Sequence, residues 1–311
     1  MKPVLSVRDF ARRVGSTATR LNQIAEDIKF HYRPFSEMDA KKQKVRQFRD
    51  PSPELKQIQK KISRLLAAIA FSDLAHGGVT GKSPRSNATP HLGQRCVVNV
   101  DVKGFFPNVR HYIVYRLFQS ELGCGRDVAR LLTRLTTLDA GLPQGAPSSN
   151  AIANLLLTDV VDKPVSFVAT KMNVEATRFV DDFTFSGNEP RPLINATAKA
   201  LSRRRLSIWR KNGKFQPTPK LKIKPNSQRQ EVTGLVVNGG SGPSLSRDRR
   251  DAVRAAIFQL VSITDASSRS KALESIRGRI SHVRTYNHGS ALRLEKYLTT
   301  CLGKTSTERP R

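Results

Sequence analysis

Acidic residues are scarce in this chain. Asp and Glu number 25 against 54 Lys and Arg among 311 residues, a formal charge of +29. Solubility needs far less charge than that, so a merely solubilising surface is a poor account and a polyanionic partner is expected. Each phosphate met by Lys or Arg releases condensed counterions, which makes such binding tight and salt-sensitive. Cysteine is nearly absent as well. Cys96, Cys124 and Cys301 stand far apart, are odd in number and form no C-x-x-C spacing, which argues against a disulfide framework and a cysteine-held metal. No stretch approaches the roughly 20 apolar residues of a membrane span. The opening MKPVLSVRDFARRV has no apolar run fit for a signal peptide, and no long basic amphipathic helix suited to a bilayer surface stands out. The expectation is a cytoplasmic protein with no membrane partner. Apolar residues make up 38% of the chain, and the length suits one large core with lobes. There is no internal repeat.

What is there begins with helical spacing. Val7, Phe10, Ala11 and Val14 share a face behind a Ser6 cap, and Leu21, Ile24 and Ile28 suggest a second short helix. Residues 31–50 read as two short strands around the basic turn DAKKQKVR. Ser52 then caps a helix with Pro53 at its first position, carrying Leu55, Ile58, Ile62, Leu65, Leu66 and Ile69. Residues 76–93 read as a Gly-rich connection. Two apolar β-type runs follow, CVVNVDVKGFF (96–106) and TRFVDDFTFS (177–186). Between them GLPQGAPSSN (141–150) leads into a helix, AIANLLLTDVVD, capped by Ser149 or Asn150. A basic helix is expected around 200–209, extended chain at 215–225, a strand at 231–238, a Gly-rich turn at 238–244, and helices from Leu245 to about Gly303. Residues 304–311 read as a disordered tail.

With so few carboxylates, their placement carries information. Asp101 ends a run of Val97, Val98 and Val100, where an unpaired carboxylate is costly. Asp181 and Asp182 sit between Phe179-Val180 and Phe183-Thr184-Phe185, as two strands joined by a turn. Adjacent carboxylates repel unless a cation holds them. An Asp-Asp pair alone is more often a hairpin turn. Flanked by apolar strands, with Asp101 in a similar setting, it reads better as a site where the three meet across a sheet and bind divalent metal. Oxygen ligands of this kind suit Mg²⁺, and a pair of such ions supports in-line phosphoryl transfer.

These residues resemble a family. VNVDVKGFFPNV, GLPQGAPSSNAIANLLL and TRFVDDFTFSG are similar, in order, to three catalytic motifs of reverse transcriptases. NATPH (87–91), QRQEVTGLVVN (228–238), RGRISHVRTYN (277–287) and ELKQIQKKI (54–62) resemble segments of the bacterial retron enzymes in particular. The resemblance covers nearly the whole chain. It implies an α+β right-hand polymerase: N-terminal helices and fingers over 1–95, a palm with antiparallel sheet over 96–240, and a helical thumb over 241–303. It implies that Asp101, Asp181 and Asp182 bind two Mg²⁺ ions, with Mn²⁺ as an alternative, helped by the Val102 carbonyl. Phe106 falls at the steric gate that favours deoxynucleotides, and Gln144 at a contact to incoming nucleotide and template. Lys42 and Arg46 would reach the triphosphate, and Lys220 would protonate pyrophosphate. Asn87, His91, Arg277 and Arg284 are the RNA-binding candidates. The implied partners are dNTPs, a cognate noncoding RNA with its DNA product, and a separate effector protein in antiviral defence. Priming would use a guanosine 2′-hydroxyl. The chain departs from the pattern at Phe179 for tyrosine, Val180 for alanine, Gly104 for a polar residue, Lys82 for arginine and Leu221 for threonine.

Plainer readings stand beside these. Phe106 suits a core, and Gln144 suits the closing of a turn around Pro143 and Gly145. His91 with Asn87 orders a loop or touches RNA, and is not a metal site. Lys41, Lys42, Lys44 and Arg46 are also a solvated turn. Arg203, Arg204 and Arg205 suit a solvated face or phosphate contact. Trp209 and Tyr286 suit packing or base stacking. Two other functions compete: a different bacterial defence or group II intron-like reverse transcriptase, and a non-catalytic RNA-binding scaffold that neutralises an effector toxin. Three intact carboxylates argue against the scaffold.

Overall fold

The computed structural model describes residues 3–39, 44–208 and 221–304, leaving out the side chains of residues 39, 44–47 and 304. The first apolar periodicities build α1 (Val7–Val14) and α2 (Ala18–Glu26). Their orphan N-terminal amides are met by Ser6, which accepts from the Asp9 N–H, and by Thr17, which accepts from that of Arg20. β1 (Tyr32–Asp39) and β2 (Lys44–Pro51) pair as an antiparallel hairpin, and the expected basic turn between them lies outside the described residues. α3 (Pro53–Ala67) starts after Ser52 with proline at its first position. Its buried Gln59 donates to the Tyr32 hydroxyl at 2.6 Å and to the Leu135 carbonyl at 2.8 Å, fastening the hairpin to the core.

The Gly-rich stretch 76–93 is not all connection. It contains α4 (Pro84–Ala88), started by a reciprocal capping box between Ser83 and Ser86. Next come β3 (Cys96–Asp101), α5 (Phe105–Asn108), α6 (His111–Arg116), α7 (Arg126–Thr136), α8 (Ser149–Leu157) and α9 (Lys163–Lys171). Then follow β4 (Glu175–Phe179), β5 (Asp182–Gly187), α10 (Pro192–Ser202) and β6 (Leu221–Pro225). The sheet has the order β4-β5-β3-β6, and every pairing is antiparallel.

Three local expectations fail for physical reasons. The run 96–106 stops being strand at Asp101, because Gly104 at φ 52° turns the chain into α5. Neither Ser149 nor Asn150 caps α8. Ser149 is its first residue, and its hydroxyl instead donates to the Pro143 carbonyl at 2.8 Å. The basic helix around 200–209 is α10, which ends at Ser202. Arg203–Arg205 form a turn with Arg205 in the left-handed region.

The main apolar core gathers the N-terminal helices, one face of the sheet and the helices packed on it. A second core holds β7 (Glu231–Val232), β8 (Leu235–Val236), α11 (Arg247–Leu260), α12 (Ala266–Tyr286) and α13 (His288–Lys304). The strand expected over 231–238 is therefore a very short hairpin, turning at Thr233 and Gly234 where both φ angles are positive. It packs with the three C-terminal helices, although the sequence groups it with the sheet. The class is α+β, as the sequence implies. Among the described residues no helix is long and apolar enough to cross a membrane.

Candidate active site

Side chains alternate across a strand, so the two faces of this sheet have separate chemistry. Val98, Val100, Phe183 and Phe185 turn to one face and are buried. The other face carries Asp101 opposite Asp182, then Asn99 opposite Thr184, then Val97 opposite Ser186. Asn99 Nδ2 donates to Thr184 Oγ1 at 3.2 Å, so a polar cross-strand pair lies next to the two aspartates.

The carboxylates stand at one end of that row. Asp101 is the last residue of β3 and Asp182 the first of β5, in direct register. Asp181 lies in the turn between β4 and β5, one residue from Asp182. Its carbonyl accepts from the Val102 N–H at 3.3 Å, tying the turn to the chain just beyond Asp101. Opposed residues in an antiparallel pair have Cβ atoms about 5 Å apart, within reach of one shared cation. Among the described residues, no three His, Cys, Asp or Glu side chains are already gathered tightly enough to enclose a metal ion. Like charges resist that gathering until a cation offsets them. The donor set of hard carboxylate oxygens, on two adjacent strands and one turn, fits Mg²⁺ or Mn²⁺ and not a soft metal.

Other candidates converge on the same end of the sheet. Phe106 follows Asp101 by five residues, half-buried, with its ring edge-on to Phe105. The Phe106 carbonyl accepts from the Leu142 N–H at 3.1 Å, so GLPQG is laced to this turn. Two residues on, the Gln144 side chain is exposed, while its carbonyl accepts from the Arg49 N–H of β2 at 2.9 Å. Gly145 makes the approach possible. Its φ of +100° is closed to most side chains, and an added Cβ would stand 3.4 Å from the Arg49 carbonyl. The hairpin strand that bears Arg46 is thus pinned beside Gln144. Lys42, Lys220 and Trp209 lie outside the described residues, as does the Arg46 side chain.

The RNA candidates separate into two groups. Asn87 and His91 are fully buried, so direct contact with RNA is excluded for both in this structure. Instead His91 ties the strands that deliver the paired aspartates. Its Nε2 lies 2.8 Å from Thr177 Oγ1 on β4, and its Nδ1 lies 2.6 Å from Ser186 Oγ on β5. The Thr177 hydroxyl donates to the Asn87 carbonyl at 3.3 Å, so Nε2–H donates to Thr177 and Nδ1 accepts from Ser186. Burial, with His76 nearby, pushes the His91 pKa down to about 3. The loop-ordering reading of His91 therefore fits. The Asn87 side-chain amide meets no hydrogen-bond partner among the described residues. Arg277 and Arg284, seven residues apart on α12, are exposed, and Arg284 is paired with Glu295 of α13. Tyr286 is half-buried beneath the Arg85 guanidinium, 5.3 Å from its ring centre, which favours packing over stacking on bases.

One group of residues escapes a sequence reading. Arg178 of β4, Asp162 and Asn154 are all fully buried on the opposite face, beneath the aspartate turn. The only sequence signal for them is an arginine in the strand just before the aspartate pair, in TRFVDD. Asp162 and Asn154 sit on helical stretches with no local mark of their role.

Residues 38–209 match a family model described as reverse transcriptase (RNA-dependent DNA polymerase), a span that contains all three aspartates. The retron Ec86 reverse transcriptase of Escherichia coli is 29% identical over 301 residues, covering 96% of this chain and 90% of its own. The retron Se72 reverse transcriptase of Salmonella heidelberg is 29% identical over 263 residues, 82% of this chain and 68% of its own. The retron Mx65 reverse transcriptase of Myxococcus xanthus is 31% identical over 271 residues, 81% and 61% respectively. With more than half its length inside that model and relatives of one kind across nearly all the rest, the chain belongs to the reverse transcriptase family, as an RNA-directed DNA polymerase of the bacterial retron type.

Proposed function

We infer that this polymerase copies part of a cognate structured noncoding RNA into DNA, starting from a guanosine 2′-hydroxyl, so that the product stays joined to RNA through a 2′–5′ linkage. Its role would be antiviral defence alongside a separate effector protein. The observation that carries the polymerase chemistry is the register of Asp101 against Asp182, with Asp181 in the adjoining turn. In this reading 1–95 form the N-terminal helices and fingers, 96–240 the palm and 241–303 the thumb, with the β7–β8 hairpin at the end of the palm packed into the thumb's core.

Asp101, Asp181 and Asp182 would hold two Mg²⁺ or Mn²⁺ ions, with the Val102 carbonyl as a further ligand. When bound, such ions ease deprotonation of the priming hydroxyl and neutralise the departing pyrophosphate. The rest is work for the chain's own residues. Arg46 and Lys42 would hold the triphosphate from the hairpin pinned beside Gln144. Phe106 would crowd the sugar edge that bears a ribose 2′-hydroxyl. Gln144 would align the nascent base pair, and Lys220 would give a proton to pyrophosphate. Arg277 and Arg284 would meet RNA phosphates, positioning without reading sequence.

The test is Asp181→Ala. Mg²⁺-dependent DNA synthesis should vanish while RNA affinity persists. Extension by this variant would overturn the metal assignment. For the retron reading, nucleic acid copurified with the protein should contain DNA that stays attached to RNA under denaturing conditions. RNA without attached DNA favours another class of bacterial reverse transcriptase.

A further inference from the structure

The buried charge cluster under the sheet has no place in the chemistry above, yet it grips the segment that carries two of the three aspartates. Arg178 spends its guanidinium on four acceptor contacts. Nε donates to Asp162 Oδ1 at 2.9 Å and Nη2 to Asp162 Oδ2 at 2.6 Å, a bidentate fork. Nη1 donates to Asn154 Oδ1 at 2.8 Å and to the Val180 carbonyl at 2.7 Å. The same guanidinium lies 5.8 Å from the centre of the Phe183 ring. It thus touches the residue before Asp181 and the residue after Asp182.

The gripped residue is in an unfavourable conformation. Val180 has φ +60°, in the left-handed region, where a β-branched side chain is a genuine outlier. Such backbone persists only where its surroundings over-determine it. A second strut supplies the remaining constraint. Asn154 Nδ2 donates to the Gly77 carbonyl at 2.9 Å, and the His76 N–H donates to the Arg178 carbonyl at 2.8 Å. This presses residues 76–77 against the turn. A Cβ on Gly77 would stand 2.7 Å from both the backbone nitrogen and Cγ2 of Val180. Val180 is held by its carbonyl from below and by its own backbone contacts from the side.

We propose that Arg178, with Asp162, Asn154 and Gly77, is a positioning device that fixes the Val180 peptide and so sets where the Asp181 and Asp182 carboxylates stand for metal binding. It rests on the reading of those aspartates as metal ligands. All four are buried. Arg178 acts through the turn alone, from the face of the sheet opposite Asp101 and Asp182.

The test uses the full chain with a primer–template ending in a dideoxynucleotide and the matching dNTP. Mn²⁺ is titrated in, and free Mn²⁺ is read by electron paramagnetic resonance. Arg178→Lys keeps the charge and loses the fork. Gly77→Ala leaves the ion pair untouched and pushes on Val180 from the side. Both should weaken Mn²⁺ affinity by about 10–100-fold, the usual effect of removing an outer-shell support, with RNA affinity within about twofold of the parent. Asp181→Asn separates the two layers of the reasoning. Unchanged Mn²⁺ binding in Arg178→Lys and Gly77→Ala, with loss in Asp181→Asn, overturns the positioning role and leaves the metal site standing. Unchanged binding in Asp181→Asn overturns the metal reading beneath it. A parallel fall of Mn²⁺ affinity, RNA affinity and melting temperature in both variants makes the cluster a structural brace and also overturns the proposal.

Discussion

Acid should unfasten the β4–β5 hairpin through one histidine. His91 is buried between Thr177 and Ser186, with its folded pKa near 3 against an ordinary 6.5. The folded value is the lower one, so as pH falls the unfolded chain takes up a proton before the folded chain does. The stability this imidazole contributes is whole above pH 6.5, drains as pH falls, and is gone near pH 3. Each pH unit inside that window removes about 1.4 kcal/mol, so a drop from pH 7 to pH 5 costs about 2 kcal/mol. That is a sizeable share of the roughly 5–15 kcal/mol that holds a domain folded. His76, lowered to about 4 by burial and by Lys82 and Arg178, acts in the same direction. It is only partly buried, so solvent screening leaves it a fraction of that weight.

The assay is urea unfolding at pH 7 and pH 5, for the parent and His91→Gln. The amide keeps one donor and one acceptor for the two hydroxyls and does not titrate. His91→Gln should be the less stable protein at pH 7, yet lose about 2 kcal/mol less than the parent between pH 7 and pH 5. Carboxylates that begin to protonate near pH 5 do so in both proteins and cancel. Equal losses in the two would refute the reasoning, because the pH dependence would then come from elsewhere.

Three other outcomes follow. Phe106→Ala should raise ribonucleotide incorporation relative to deoxynucleotide by about 10–200-fold, the range one steric contact in a pocket is worth, read by single-nucleotide extension. Arg277→Ala should weaken RNA binding for all sequences alike and lower the slope of log affinity against log salt by about 1, whereas Arg284→Ala should change it less, because that side chain already answers Glu295. Asn87→Leu should be neutral or stabilising in thermal unfolding. Its buried amide meets no partner among the described residues, and an unsatisfied group of that kind costs about 1–3 kcal/mol.

The carboxylate site was legible in the sequence because it depends on period two and on scarcity. Asp101 after three valines and an Asp-Asp pair between aromatic strands leave few ways to pair, and the register of β3 with β5 follows the alternation. Local rules also found the Ser6 cap and the Ser52-Pro53 start. They failed where a distant partner decides. Ser149 looks like a cap, but the Pro143 carbonyl claims its hydroxyl. For His91 they left loop ordering and RNA contact both open, and two strand hydroxyls some 90 residues away decide it by drawing the ring inside. Arg178 shows only as an odd residue in a strand, because Asp162 and Asn154 come from helical segments whose approach no local pattern encodes.

The buried cluster also shows why this end of the sheet is not arranged for stability. Replacing a buried ion pair by apolar residues of like size is often neutral or stabilising, since desolvation consumes most of the Coulomb gain. Val180 adds about 1–3 kcal/mol of backbone strain at its positive φ. Three aspartates on two adjacent strands and their connecting turn add mutual repulsion. All three are costs in the free protein, and all fall within a few residues of one turn. A fold shaped by packing alone would have an apolar residue at Arg178 and a glycine at Val180. What the costly arrangement provides is direction. The fork on Asp162 leaves Nη1 aimed at the Val180 carbonyl, so the turn cannot swing without breaking a hydrogen bond to a fully buried guanidinium. A divalent cation would then meet carboxylates whose backbone is already held in place, and its binding energy would go into closing the site and not into ordering the turn.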